Sequence, residues 1–330
     1  MRFLLLPLAI VYGVITILRN FFYDYGILKI TKVSTPVISV GNITAGGTGK
    51  TPMTMHLAEE AKARGLKPGI VSRGYGRKSR GLHIVHDGNK LLMTVEKSGD
   101  EPFLMASLLK DVPVVVSENR VDGAEKLIQD YAVDIILVDD GFQHRSLFRN
   151  INILLLNASE KKYAYYMLPM GLLRESLSNI RRADYTFITK GDRKNVPLKV
   201  DRYVDNYVES KISFQLKKHM DGKLVNAEIP EFELFAFCGI AHPQLFFDSI
   251  RSYGIRMNIF LRFSDHVIYD KKAKSKIIES ISNQGKGLIT TEKDLVKLSG
   301  SFLDRFDVYI LTMNFSIPSS ELDKIFYFMK

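Results

Sequence analysis

The chain has 330 residues, 46% apolar and 25% charged, values that exclude a disordered or low-complexity chain and allow two domains or one large one. Its formal net charge of +10 suits an anionic partner (nucleotide, nucleic acid or acidic membrane surface) without choosing among them. The single cysteine, Cys238, excludes an intramolecular disulfide and a cysteine-based zinc cluster, and fits a reducing compartment.

Between Arg2 and Arg19 the chain carries no charge. That run is shorter than the roughly 20 residues of a spanning helix, and no small-residue cleavage site follows it. It reads as a membrane-associated helix, residues 1–22, with Arg19, Lys29 and Lys32 at the headgroups. A buried core helix or a dimer contact is the competing reading, and Pro7 and Gly13 weaken the helix under either.

Val37–Val40 is an apolar strand that breaks into Gly41-Asn-Ile-Thr-Ala-Gly46-Gly47-Thr48-Gly49-Lys50-Thr51-Pro52, with a helical pattern over 51–64. Strand, glycine-rich loop, Lys-Thr and helix form the context of a phosphate-binding loop. Backbone N–H groups around Gly46, Gly47, Thr48 and Gly49 would face one phosphate. Lys50 would reach the β- and γ-phosphates, and the Thr51 hydroxyl would ligate Mg²⁺. Thr44 stands where the general pattern has glycine.

Further strands are expected at 69–72, 113–117, 134–139, 152–156 and 185–189, with helices at 101–110, 120–131 and 174–182. This alternation predicts a mostly parallel sheet flanked by helices, and 83–95 reads as an inserted hairpin about Asp87-Gly88-Asn89. Alternating polar and apolar residues over 200–228, with a turn at Asp221-Gly222, predict exposed antiparallel strands that act as a connector. Strands at 234–239, 287–291 and 308–312 with helices at 243–253, 271–282 and 319–329 predict a second, smaller α/β unit. The expected organisation is therefore a helix at 1–22, a phosphate-loop domain at 23–199, a linker at 200–228 and a smaller domain at 229–330.

The strand 134–139 ends in Asp139-Asp140, the second half of a phosphate-loop site, where a carboxylate holds Mg²⁺ directly or through water. Asp100, in Gly99-Asp100-Glu101-Pro102, has two readings: an N-cap of the following helix, or, with Glu101, a metal ligand or a base for an attacking hydroxyl. Ser72-Arg-Gly-Tyr75-Gly-Arg-Lys-Ser-Arg80 is either an arginine-rich phosphate site or a solvated loop. Arg174 and Glu175 are site residues or a charged first turn. His144 lies beside Asp139 and Asp140 in sequence, and His266 beside Asp265. No His/Cys spacing makes a zinc site.

These motifs stand together in one order: the loop ending Thr51-Pro52, then Arg73-Gly-Tyr75-Gly, Gly99-Asp-Glu-Pro102, Asp139-Asp-Gly-Phe-Gln-His144, Gly171-Leu-Leu-Arg-Glu175, Asp265-His266 and Thr291-Glu-Lys-Asp294. In this the chain resembles the tetraacyldisaccharide 4'-kinases, the lipid A 4'-kinases of Gram-negative bacteria, over nearly its whole length. The resemblance implies a P-loop NTPase-like α/β fold with a second α/β domain on a two-stranded linker. It implies transfer of the γ-phosphate of ATP, with Mg²⁺, to the 4'-hydroxyl of a tetraacyldisaccharide 1-phosphate, giving lipid IVA. It also implies an N-terminal helix on the cytosolic face of the inner membrane and no nucleic-acid partner. By the same resemblance Asp100 and His266 are the catalytic pair, with Lys50. Asp139, Asp140 and Glu101 organise the metal with Thr51, and Tyr75, Arg120, His144, Arg174 and Glu175 contact the lipid headgroup. The alternative is a membrane-docked P-loop ATPase switch of the partitioning or targeting type, whose loops carry a lysine where this chain has Ala45.

Overall fold

Short runs of Val, Ile and Leu closed by Gly, Asn or Asp form strands buried on both faces, as helix-covered parallel sheets require. A computed structural model describes residues 2–208, 210–281 and 287–327. In its first part, β1 (Val37–Asn42), β2 (Pro68–Ser72), β3 (His83–Asp87), β4 (Pro113–Val116), β5 (Ile135–Asp139), β6 (Ile151–Asn157), β7 (Tyr185–Thr189) and β8 (Tyr207–Val208) form one sheet. Its order is β3-β4-β2-β5-β1-β6-β7-β8, parallel throughout except for β3 at one edge. The chain leaves β1 toward β2 on one side and later reaches β6 on the other. The carboxyl end of β1 therefore opens a crevice, the usual ligand position in such sheets.

Helices α1 (Leu6–Asp24), α2 (Lys50–Ala63), α3 (Val95–Ser98), α4 (Asp100–Leu108), α5 (Arg120–Tyr131) and α6 (Leu198–Asp201) accompany this sheet. The second sheet comprises β9 (Lys211–Met220), β10 (Lys223–Asn226), β11 (Leu234–Cys238), β12 (Met257–Arg262), β13 (Gly287–Thr290) and β14 (Asp307–Ser316), in the order β10-β9-β14-β13-β11-β12. Helices α7 (Pro243–Ser252), α8 (Lys271–Ile281), α9 (Glu292–Leu295), α10 (Gly300–Leu303) and α11 (Ser319–Phe326) belong to this half of the chain. The helix ends expected at Ser282 and Met329 lie outside the described residues.

Four expected elements take another form. The helix expected at 174–182 is a 3-10 helix confined to Leu177–Arg182. The segment from Val200 is not a strand: α6 and a turn fill it, and only Tyr207–Val208 pairs, parallel to β7. The predicted connector strand, β9, pairs with β14 along eight residues, from Tyr309↔Lys218 to Ser316↔Lys211, and so lies inside the second sheet. Residues 83–95 are no hairpin. β3 pairs with β4, and only a single bridge, His86↔Leu91, closes the turn.

The two halves share packing. Phe315, Ile317, Leu322, Ile325 and Phe326, from the end of β14 and from α11, join the buried cluster that holds Met53 and Leu57 of α2. Arg64 at the end of α2 meets Asp323 at 3.1 Å and lies over the Phe326 ring.

Helix α1 inverts the usual pattern. Its buried residues are Ala9, Gly13, Thr16 and Asn20, while Leu8, Ile10, Val11, Val14, Ile15, Ile17, Leu18 and Phe21 are exposed. Spacings of four, three and four put the small and polar residues on one stripe toward the protein. A contiguous exposed apolar face of this kind marks an interaction surface.

Candidate active site

The loop after β1 turns into α2 through Gly49, whose φ of 92° is left-handed backbone that favours glycine. The N-terminus of α2 therefore opens at Lys50, with N–H groups and helix dipole directed at the crevice. Neighbouring strands hold this loop. Lys190, after β7, donates to the Gly47 carbonyl at 2.7 Å, and the Thr44 hydroxyl donates to Glu160, after β6, at 2.8 Å. From the second half of the chain, Phe315 and Met313 lie against Gly49, and His242 lies near Gly46. Gly47 and Thr48 complete the cradle, and the Thr48 hydroxyl is buried without a partner.

Asp139 ends β5, in register with Val40 of β1, so its carboxylate reaches the root of the loop. It is fully buried and accepts from the hydroxyls of Thr54 and Ser72, each at 3.3 Å. Burial, with Glu101 and Asp140 nearby, raises its proton affinity to about 7. Asp140 turns away with a φ of 51°. Its carboxylate pairs with Arg174 at 2.7 and 2.9 Å and lies 3.7 Å from the Lys50 ammonium. Although burial works against its charge, the Lys50 and Arg174 cations hold its carboxyl below the usual carboxylate range. The turn packs tightly on β1, for a Cβ on Gly41 would meet Phe142 at 2.5 Å, and one on Gly141 would meet Ser39 at 2.5 Å. Both positions need glycine.

Asp100 is not the N-cap of α4. Gly99 takes that position, with no side-chain cap. The Asp100 carboxylate instead reaches across to the second half of the chain, where His266 Nδ1 lies 3.1 Å from its Oδ2. The His266 backbone has a φ of 58°, and its own N–H donates to Asp265 at 3.0 Å. Tyr75, exposed at the end of the β2 loop, stacks near the His266 ring at 5.8 Å. Glu101, partly exposed beside Asp100, has Lys293 at 4.0 Å.

Other expected contacts are turned inward. Glu175 is fully buried and accepts from Asn20 of α1 at 2.9 Å, Gln143 at 2.9 Å and Arg182 at 2.6 Å. Three donors enclose its carboxylate, which joins the Asp139-to-His144 turn to α1. Arg120 is buried, donating to the carbonyls of Ser117 and Glu118 at 3.0 and 3.3 Å. Burial lowers its pKa to about 10. His144 Nε2 accepts the Arg120 N–H at 3.2 Å, with the Ser146 hydroxyl at 3.0 Å. Burial and then Arg120, Arg149, Arg73 and Arg19 push its pKa down to about 4, so it is neutral near pH 7. Arg174 stays at the site through Asp140, and its backbone carbonyl accepts the Tyr12 hydroxyl of α1 at 2.9 Å.

Two further residues belong to the site: Lys293, inside the Thr291-Glu-Lys-Asp294 motif, and Lys297, just after it. They bring two cations to Asp100, at 3.9 and 2.9 Å. Lys293 lies in that motif, but Lys297 follows the end of α9 and carries no local signal, because its partner Asp100 is brought to it only by the fold.

The oxygen donors Thr51, Asp139, Asp140 and Glu101 suit a hard cation such as Mg²⁺. Among the described residues no three His, Cys, Asp or Glu side chains converge as a metal cage. Mg²⁺ binds through one or two carboxylates and takes its other ligands from water and phosphate oxygens.

Comparison with known proteins follows the same lines. The family model described as tetraacyldisaccharide-1-P 4'-kinase matches residues 1–327. The tetraacyldisaccharide 4'-kinase of Chlorobaculum parvum is 38% identical over 304 residues, covering 90% of this chain and 84% of the relative. That of Aquifex aeolicus is 38% identical over 308 residues, covering 91% of each. Among solved structures, the "apo" form of LpxK from Aquifex aeolicus in complex with ATP superposes with a TM-score of 0.83, at 35% identity and 99% coverage of both chains.

Proposed function

The chain belongs to the tetraacyldisaccharide-1-P 4'-kinase family, and from that premise we propose how its residues carry the reaction. It is a lipid kinase that uses ATP to phosphorylate the 4'-hydroxyl of a tetraacyldisaccharide 1-phosphate, a step of lipid A biosynthesis. The observation that carries the reading is the Asp100–His266 pair. A carboxylate that leaves its own helix terminus uncapped and meets an imidazole from the other half of the chain at 3.1 Å is arranged for an acceptor, not for nucleotide alone. A partitioning-type switch has no use for such a pair.

Phosphoryl transfer depends mainly on positioning and charge neutralisation. The loop N–H groups and Lys50 bind the β- and γ-phosphates. Thr51 and Asp139, with Asp140 and Glu101 nearby, would hold Mg²⁺, which when bound would neutralise the phosphate oxygens. The 4'-oxygen attacks the γ-phosphorus, its proton passes to the Asp100 carboxylate, and the bond to the β,γ-bridging oxygen breaks to release ADP. His266 orients Asp100 through the Nδ1 contact. Tyr75 is exposed beside that pair and meets the sugar headgroup. Arg174 keeps Asp140 and Lys50 in register, while Arg120 and His144 form the wall behind them. We place the exposed face of α1 in the cytosolic leaflet of the inner membrane, where acyl chains present the disaccharide to the site.

The test follows ³²P from ATP into the tetraacyldisaccharide 1-phosphate. Wild type labels the lipid. Asp100→Ala lowers the rate by about 10²–10⁴-fold, with ATP binding retained. Lipid-independent ATP hydrolysis without labelled lipid overturns the assignment, and unchanged transfer by Asp100→Ala removes Asp100 from it.

A further inference from the structure

One cation of the Asp100 cluster has no part in that scheme. Lys297, just beyond α9, has a side chain only 3% exposed. Its ammonium lies 2.9 Å from Asp100 Oδ2, the oxygen that His266 also meets. The approach is an ion pair without hydrogen-bond alignment. On the other side Lys297 lies 3.5 Å from Asp294 Oδ1. Asp294 is fully buried and is itself held, for its Oδ2 accepts the Gly239 N–H at 3.0 Å and the Thr291 hydroxyl at 2.7 Å. A path of charge therefore runs from the end of β11 through Asp294 and Lys297 to Asp100.

Burying an ammonium between two carboxylates is a poor way to add stability, since a well-packed apolar side chain commonly does as well. It does fix the position of the carboxylate it meets. Lys293 makes a useful contrast. It lies 3.9 Å from Asp100, 4.0 Å from Glu101 and 3.7 Å from Asp265, a looser arrangement at a more open position.

We propose that Lys297 is a positioning residue for phosphoryl transfer: anchored by Asp294, it and His266 engage Oδ2 of Asp100 so that Oδ1 faces the acceptor hydroxyl. Both contacts fall on Oδ2, which leaves one oxygen of the carboxylate to meet the hydroxyl in one orientation. The carboxylate comes from α4, and every group that orients it comes from the second half of the chain. This rests on the reading of Asp100 given above.

The full-length enzyme is assayed with ATP and the disaccharide 1-phosphate lipid as wild type, Lys297→Met, Asp100→Asn and the double variant. Lys297→Met removes the charge while keeping the length of the side chain. Its kcat is expected to fall about 10- to 100-fold, as for a misplaced catalytic group, with KM for ATP and lipid unchanged within about twofold. In the Asp100→Asn background the same substitution is expected to change kcat by less than about twofold, because the group it positions is already lost. A kcat for Lys297→Met close to wild type overturns the proposal, and so does an equal loss in both backgrounds. Full activity of Asp100→Asn instead overturns the underlying reading, which separates the two failures. If Lys297→Met does not fold, Asp294→Asn/Lys297→Met removes the buried pair together. Its loss of kcat at unchanged KM supports the proposal, and wild-type kcat overturns it.

Discussion

Replacing Glu175 by alanine decides between two roles for that residue. As a headgroup contact its loss would weaken lipid binding; as an enclosed carboxylate its loss would weaken the fold. Glu175 is fully buried and takes hydrogen bonds from Asn20, Gln143 and Arg182, the last at 2.6 Å with an arginine side chain 18% exposed. Removing one partner of a buried ion pair typically costs about 3–5 kcal/mol, because the other charge is left unpaired. Water reaching the partly exposed Arg182 reduces this, so about 3 kcal/mol is the expected loss. With a urea m-value of about 3 kcal/mol/M, the unfolding midpoint drops by about 1 M. Urea titration followed by circular dichroism reads this directly, beside KM for the lipid in the ³²P assay. A midpoint shift under about 0.3 M together with a tenfold or greater rise in lipid KM would refute the structural role and restore the headgroup contact.

Two further outcomes are expected. His144 is held neutral by burial and by surrounding arginines, with its pKa lowered from 6.5 to about 4. Between those values the unfolded chain binds a proton that the native chain does not, so stability falls as pH drops from 6.5 toward 4, by up to about 3 kcal/mol. His144→Gln should flatten that part of a midpoint-against-pH curve, and an equally steep curve in the variant would show that other groups are responsible. Ile15→Glu/Leu18→Glu places charge on the exposed face of α1, at a cost of about 2.5–3.5 kcal/mol per residue near the bilayer centre and less at the interface. In vesicle flotation the variant should shift to the unbound fraction, while activity on detergent-dispersed lipid stays within about twofold. Continued flotation would mean that another surface docks.

Much of the first sheet was legible because its strands are buried on both faces and so read as unbroken apolar runs, Ile135–Asp139 being the clearest. The second sheet was harder. Met257–Arg262 lies at its edge with most residues exposed, so it carries no such run and was missed as a strand. β9 alternates because it is half-exposed along its length, and alternation alone says nothing about which strand lies beside it. At the site, the phosphate loop and Asp139-Asp140 were legible from local order. Asp100 was not decided locally, since Gly-Asp-Glu-Pro suits a cap as well as a catalytic carboxylate. Only His266, 166 residues away, separates the two. Lys297 and the enclosure of Glu175 were invisible for the same reason: both depend on partners brought together by the fold.

The attachment of α1 has a mechanical consequence. Tyr12 bonds the Arg174 carbonyl and Asn20 bonds Glu175, each at 2.9 Å, and Arg145 grips the Asn20 carbonyl and Asp24 farther along. Tyr12 and Asn20 are eight residues apart, about 12 Å along a helix axis. An element pinned at two such points cannot swivel as a tether does; it is a rigid mount. With α1 in lipid as proposed above, the angle at which it settles would set the height and tilt of the catalytic crevice above the bilayer. An acceptor whose acyl chains also fix its depth is then approached along a restricted line, so a helix of equal hydrophobicity joined by a flexible linker would anchor the protein without aiming it.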